Sequence, residues 1–246
     1  MRVMNCVRAL LGVAAMLIGA MSAHAQSVSG QGTWETTLQA RDIGNTGTTN
    51  AFYDAVLGIT WLRDANVNGA MDWATANSWA NNLTVGGVSG WRLPTMADPA
   101  ATACNDWSYG GANCGSNPPT SSSEMASLFF STLGNKAYYD TNGNAQAGYG
   151  LTNVGNFQNM QSYGYWFGTE YAPTMIDAWY FYPDAGRQGH TGPTSGFYGM
   201  AVRTGDVAAV PEPETYAMLL AGLGLIGAVA RRRNSGSASR GTPCES

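Results

Sequence analysis

Along this 246-residue chain, the first spacing that suggests chemistry is Asp64-x-Asn66-x-Asn68-Gly69-x-x-Asp72. Oxygen ligands at the first, third, fifth and ninth places, with Gly at the sixth, are the pattern of a calcium loop. The twelfth place is Thr75, where such a loop carries a bidentate Glu. Asp64, Asn66, Asn68 and Asp72 therefore make an incomplete cation site, and turn chemistry before a helix capped by Asp72 explains the same residues. Asp140-x-Asn142-x-Asn144 is a poorer version, without the Gly or the closing acid. No other cofactor is indicated. Catalytic groups are sparse: the one histidine beyond residue 25 is His190, in Gly189-His190-Thr191-Gly192, and no Gly-x-Ser-x-Gly elbow accompanies it. The expectation is a protein that is not an enzyme, with no catalytic residue to name.

Binding is better served. Trp166, Tyr171, Trp179, Tyr180, Tyr182 and Tyr198 crowd the C-terminal half. Aromatic rings stack on the apolar faces of sugars and hydrogen-bond through their polar tips. Strand alternation puts half of them inside. Trp166 and Trp179 read as core, leaving Tyr180, Tyr182 and the loop from Asp184 to Gly196, with Asp184 and His190, as candidate ligand contacts.

Several elements must position these groups. Ala51 to Leu62 reads as a hairpin about Leu57-Gly58. Trp73, Ala76, Trp79, Ala80 and Leu83 fall on one face of a helix from Trp73 to Leu83 that Asp72 caps. Ser121-x-x-Glu124 is a capping box before Met125, Leu128, Phe129 and Leu133, with Gly134 as the stop. Beyond Tyr138 the pattern is all strand: Tyr163 to Tyr171, Asp177 to Tyr182 and Tyr198 to Arg203. Residues 26–50 read as a leader strand or loose arm. The fold class is α+β, with two helices and antiparallel strands.

Cys104 and Cys114, with nine residues between them, lie in a loop rich in Gly, Asn, Ser and Pro. A metal pair or a reactive thiol would need a nearby His, and none is there. A disulfide is expected, stabilising by roughly 3 kcal/mol in the chain-entropy view and implying an oxidising compartment.

The ends agree with export. Arg2 and Arg8, the apolar run Ala9 to Met21 and Ala23-His24-Ala25 predict a signal peptide over 1–25, with Gln26 as the first mature residue. At the other end, Pro211-Glu212-Pro213 precedes an apolar run to Ala230 and Arg231-Arg232-Arg233. That run, helical at ~1.5 Å per residue, is a marginal membrane span with a cytoplasmic C-terminus. Between Gln26 and Val210 stand six Lys and Arg against thirteen Asp and Glu, a net charge of −7. Nucleic acid is excluded as a partner, because phosphate binding needs a basic surface.

Two resemblances follow. Pro211-Glu212-Pro213, the apolar helix and the arginines over 210–233 resemble the PEP-CTERM sorting signal. The resemblance implies processing by exosortase, a membrane-embedded protease-transpeptidase, in the setting of extracellular polysaccharide. The polar tail, 234–246, is longer than such signals usually carry. Trp73-Ala74-x-Ala76, Leu83-x-x-Gly86-Gly87, Gly90-Trp91-Arg92-Leu93-Pro94-Thr95, Glu124 to Phe129, Tyr165 to Thr169, Ala178-Trp179 and Ala201-Val202-Arg203 resemble the Lcl C-terminal domain family over 51–206. That resemblance implies a C-type-lectin-like domain related to formylglycine-generating-enzyme-like folds. Its named member is part of an adhesin for sulfated glycans. The signature Trp91, Arg92, Leu93 and Pro94 reads as structural, Arg92 making an ion pair or capping carbonyls. The tripeptides by which C-type lectins hold calcium and sugar are absent. The expected protein is exported, membrane-anchored before processing and then in the outer envelope or matrix, where its domain contacts polysaccharide. A passive matrix protein and an enzyme on the related fold are the alternatives.

Overall fold

The structure is a computed structural model that describes residues 25–98, 104, 107–174, 176–207 and 218–227. The cleavage residue Ala23, the sorting residues Pro211, Glu212 and Pro213, and Arg231, Arg232 and Arg233 lie outside the described residues.

Two sheets form around aromatic strands. The first orders β1 (Leu38–Arg41), β2 (Ala51–Asp54), β3 (Ile59–Leu62), β11 (Val202–Thr204) and β5 (Trp91–Arg92), all antiparallel. The second orders β4 (Ala70–Met71), β10 (Phe197–Tyr198), β7 (Tyr165–Glu170), β8 (Ala178–Tyr182), β9 (Arg187–Thr191) and β6 (Gly115–Ser116). Here β10 and β7 run parallel and the other pairs antiparallel. The helices are α1 (Trp34–Thr37), α2 (Trp73–Asn82) and α3 (Glu124–Ala126), the last continuing as a π-helix over Ser127–Thr132. Residues 218–227 are helical, and among the described residues no helix is long and apolar enough to cross a membrane.

Residues 26–50 are a docked leader rather than a loose arm. Trp34 is buried, β1 pairs with β2, and Gln26 bridges to Asn153. The hairpin β2–β3 turns through Gly58, whose φ of 65° suits glycine.

The main core lies between the sheets and the second long helix (α3 with its π-helical continuation, hereafter the second helix), where Trp61, Met125, Leu128, Phe129, Phe167, Trp179 and Phe181 meet. Helix α2 covers the opposite face of the second sheet, packing Ala76 and Ala80 against Trp166, Tyr180 and Phe197. Its end, with Trp79 and Leu83, covers Trp91, Leu62 and Ala201 of the first sheet. Truncating one such buried aromatic costs about 3–5 kcal/mol, more than any surface ion pair contributes.

Asp72 caps α2 as expected, its carboxylate accepting the Thr75 N–H at 2.7 Å. The second helix departs from expectation. Its cap is Ser123, not Ser121: the Ser123 hydroxyl accepts the Ala126 N–H at 3.2 Å, and Glu124 turns away to Arg92. The helix then widens, Leu133 N–H reaching Leu128 C=O at 2.8 Å. The wider turn sends its last carbonyls to distant partners: Thr132 C=O takes Thr33 N–H, and Leu133 C=O takes the Asn153 amide. Residues 139–163 are irregular, not strand, and β9 forms where a glycine-rich loop was expected.

Carboxylates in turns and pairs set the acid response. Hydrogen bonds from the Arg41 guanidinium hold Asp206 below the usual carboxylate range. Asp42 is lowered by Thr46, Asp72 by the Thr75 N–H and Asp140 by the Asn144 N–H. A carboxylate lowered in the folded state stabilises fully above its unfolded value, and that contribution is lost as pH falls through its folded value. Urea midpoints are expected to hold level from pH 7 to about pH 4 and then fall. A midpoint that rises on acidification would contradict this.

Candidate functional site

The signature segment forms one wall of a cleft. Arg92, leaving β5, forks onto Glu124 with Nη1–Oε2 at 2.8 Å and Nη2–Oε1 at 2.7 Å. Arg92 Nη1 also donates to the Leu93 carbonyl at 3.0 Å. Glu124 Oε2 accepts the Thr95 N–H at 2.7 Å, and Glu124 N–H donates to Thr95 C=O at 3.1 Å. Ala97 N–H to Ser122 C=O, 2.7 Å, continues the seam. Trp91 and Leu93 anchor the segment in the core, 2% and 1% exposed.

Beside this clamp an open cleft of about 380 Å³ is lined by Leu57, Thr95, Met96, Ala97 and the run Thr120 to Glu124. Five of those residues carry hydroxyls, groups that both donate and accept. Both oxygens of its one carboxylate are engaged by Arg92 and Thr95. The cleft can hydrogen-bond a polar, uncharged ligand. Arg92→Lys keeps the charge but cannot fork onto both oxygens. With the pair partly exposed, 29% and 16%, a loss of about 1–2 kcal/mol is expected. Thermal unfolding would show it as a fall of roughly 3–6 °C; an unchanged midpoint would remove the clamp from the stability argument.

The other candidate residues lie apart from this cleft. Tyr180 is buried at 6% exposure, which corrects the expectation of a surface ligand contact. The reason is that β8 is covered on both faces, Trp179 and Phe181 facing the main core and Tyr180 facing α2. Tyr182 is half-buried among Tyr163, Tyr180 and Phe197, with the Arg187 guanidinium 5.2 Å from its ring centre. Burial, then the hydrogen bond that its hydroxyl donates to Tyr163, pushes its phenol pKa up. Asp184 is exposed at the β8–β9 turn.

His190 stands in β9, not in a loop. Its ring stacks on Tyr171, centroids 3.7 Å apart and 5° from parallel, and Nδ1 meets Asp177 Oδ2 at 2.9 Å. Tyr171 OH accepts the Cys104 N–H at 3.1 Å, and Asp98 Oδ2 accepts the Trp179 indole N–H at 3.1 Å. The Cys104–Cys114 disulfide, Cα atoms 5.4 Å apart, closes the neighbouring loop. The sequence singled out Tyr171 and His190 but not their meeting, because Asp98 and Asp177, which complete the cluster, carry no signal of their own.

The calcium pattern is taken up by turn bonds. Asp64 accepts the Asn66 N–H at 2.9 Å and the Asn159 side-chain amide at 2.9 Å, and Asp72 caps α2. Asn68 is exposed, while Asn66 Oδ1 is buried with no partner among the described residues. Among the described residues no group of three or more His, Cys, Asp or Glu could hold a metal.

Against known families, the Lcl C-terminal domain matches residues 50–203 and the PEP-CTERM protein-sorting motif matches residues 209–233. Comparison with curated proteins and with solved structures finds no match. The sorting motif marks the chain for export, exosortase processing and association with the cell envelope. Over most of its length, an α+β domain that builds a hydroxyl-lined cleft beside its signature arginine, the chain belongs to the Lcl C-terminal domain family.

Proposed function

We propose that this is an adhesion or matrix protein whose domain, of C-type-lectin-like fold, contacts extracellular polysaccharide. The apolar segment after Pro213 is its membrane anchor until exosortase cuts it. The observation that carries the reading is the cleft beside Arg92 and Glu124: hydroxyl-lined, open and with its carboxylate already engaged. Such a surface supports hydrogen bonding to a polyhydroxylated ligand rather than proton transfer. The described hydrogen bond of His190, to Asp177, and its stacking on Tyr171 support a packing role, and the reading assigns the domain no catalytic step.

Fractionation of the producing cell with intact-mass analysis tests the sorting half. A mature mass ending near Pro211-Glu212-Pro213, in the outer-envelope or extracellular fraction, is expected. Co-sedimentation of that mature protein with the cell's own polymer tests the binding half. An uncut chain in the inner membrane that leaves the polymer in the supernatant would sink both.

A further inference from the structure

A row of tyrosines lies outside the cleft. Tyr109 comes from the disulfide-closed loop, Tyr138 and Tyr139 follow the second helix, and Tyr149 lies ten residues on. Their rings touch in sequence: Tyr109–Tyr139 at 4.7 Å, Tyr139–Tyr138 at 4.5 Å and Tyr138–Tyr149 at 4.6 Å between centroids. The row is held from beneath. Asn117 donates its amide to the carbonyls of Tyr109 and Tyr139 at 3.2 and 3.0 Å, and Tyr138 N–H binds Ala185 C=O at 2.9 Å. The Tyr109 ring rests on Gly143, in a turn that Asp140 ties to Asn142 and Asn144. A Cβ at Gly143 would come within 3.0 Å of that ring.

These rings differ from the core aromatics. The buried hydroxyls of Tyr165 and Tyr171 take backbone N–H groups, and the indoles of Trp34, Trp61, Trp73, Trp91, Trp166 and Trp179 all donate to partners. Tyr149 is 45% exposed, its three companions are half-buried, and no hydrogen bond is described for any of the four phenols. A pre-ordered aromatic row with spare hydroxyls suits successive sugar rings, each offering an apolar face and a rim of hydroxyls.

Charge decides which sugars. Arg41 and Arg92 are bound to Asp206 and Glu124. Arg63 and Arg203 donate to carbonyls, and Arg187 lies over Tyr182. Of the domain's six cations, Lys136 alone has no described side-chain partner among the described residues. Asp140 stands in the turn under the row, and Asp184 adjoins the residue that anchors Tyr138. Lys136, exposed beside the row with its backbone paired to Gly150, stands alone against these two carboxylates, so a polymer of sulfates or uronates would meet no net positive charge there.

From this we infer that the tyrosine row binds an uncharged polysaccharide. The inference rests on the polysaccharide reading above and names the contact surface and the ligand class. One loop serves both surfaces: Asn113 donates to Ala97 C=O and accepts from Ser122 at the cleft, while Asn117 supports the row.

The test is isothermal titration of the mature protein, purified from the cell, against dextran, mannan, a β-1,3-glucan, dextran sulfate and the cell's own polymer. Tyr149→Ser and Tyr139→Leu are the variants, and Tyr163→Ser, an exposed tyrosine away from the row, is the control. Binding to at least one neutral polymer is expected, weakened about tenfold by Tyr149→Ser and unchanged by Tyr163→Ser. Binding that survives both row variants would remove the row and leave the polysaccharide reading standing. Binding confined to dextran sulfate would overturn the uncharged class. Self-association that Tyr149→Ser abolishes, with no polymer dependence on the row, would assign these rings to a second copy of the chain. No heat with any polymer would remove the polysaccharide reading and this inference together.

Discussion

Replacing Asn153 by Leu is expected to destabilise the domain by about 4 kcal/mol, with a fall in melting temperature on the order of 10 °C. Asn153 is fully buried and uses all of its bonding capacity. Its Oδ1 accepts the N–H groups of Val28 and Gly155 at 2.9 and 3.0 Å. Its Nδ2 donates to the carbonyls of Gln31 and Leu133 at 3.0 and 2.8 Å. Leucine fills a similar volume but leaves the Val28 and Gly155 N–H groups and the Gln31 carbonyl unpaired, each worth about 1–3 kcal/mol where water cannot reach, while the Leu133 carbonyl keeps only the longer bond from the Gln31 side-chain amide at 3.3 Å. The substitution also unties two regions at once. It frees the leader segment, through Val28 and Gln31, and the end of the second helix, through Leu133. Protection of the Val28 and Gly155 amides from hydrogen exchange should fall together with the midpoint. A variant that melts within about 2 °C of the parent would show that water or local rearrangement replaces these bonds.

Gly134→Ala should be nearly as damaging, at about 3 kcal/mol or more. Part of this is conformational. Gly134 has φ of 67°, a left-handed position that costs an L-residue about 1–2 kcal/mol. The rest is contact. A Cβ there would come 2.5 Å from the Gly32 N and 2.8 Å from the Gly32 Cα, and backbone cannot swing aside as a side chain can. Gly32 is the reciprocal half of the approach, since a Cβ on it would strike the Thr132 carbonyl. Gly134→Asn separates the two terms, because Asn tolerates the left-handed region. Chemical unfolding should show a loss for Gly134→Asn that is smaller than for Gly134→Ala by about 1 kcal/mol, the contact term remaining. If the Asn variant unfolds like the parent, the close approach has relaxed and only the backbone angle mattered.

Gly134 also shows how far the sequence could be read. A helix stop was legible in it, because glycine after an amphipathic run commonly adopts the left-handed cap. Its contact with Gly32, more than a hundred positions earlier, was not, because nothing local encodes a close approach of two backbones. The same division holds for the strands. The aromatic strands β7 and β8 announced themselves by composition. Strand β9, Arg187-Gln188-Gly189-His190-Thr191, did not, since its residues have little strand propensity and it forms because β8 offers a full ladder of partners. Tyr180 was misplaced for a related reason. Alternation locates two faces of a strand, but only the packing of α2 shows that both are buried.

The sequence by itself determined the family, the sorting signal, the disulfide pairing, the Asp72 cap and the low charge of the domain. Each is carried by neighbours along the chain or by composition, so no fold is needed to read it. The tertiary structure alone decided that Glu124 clamps Arg92 instead of closing a capping box, that a hydroxyl-lined cleft opens beside them, and that Asn153 ties the N-terminus to the second helix. It also decided that four tyrosines from three segments meet in a row. These features join residues that lie from ten to more than a hundred positions apart. Burial and hydrogen-bond satisfaction bring them together, and those are properties of the packed chain, not of any segment.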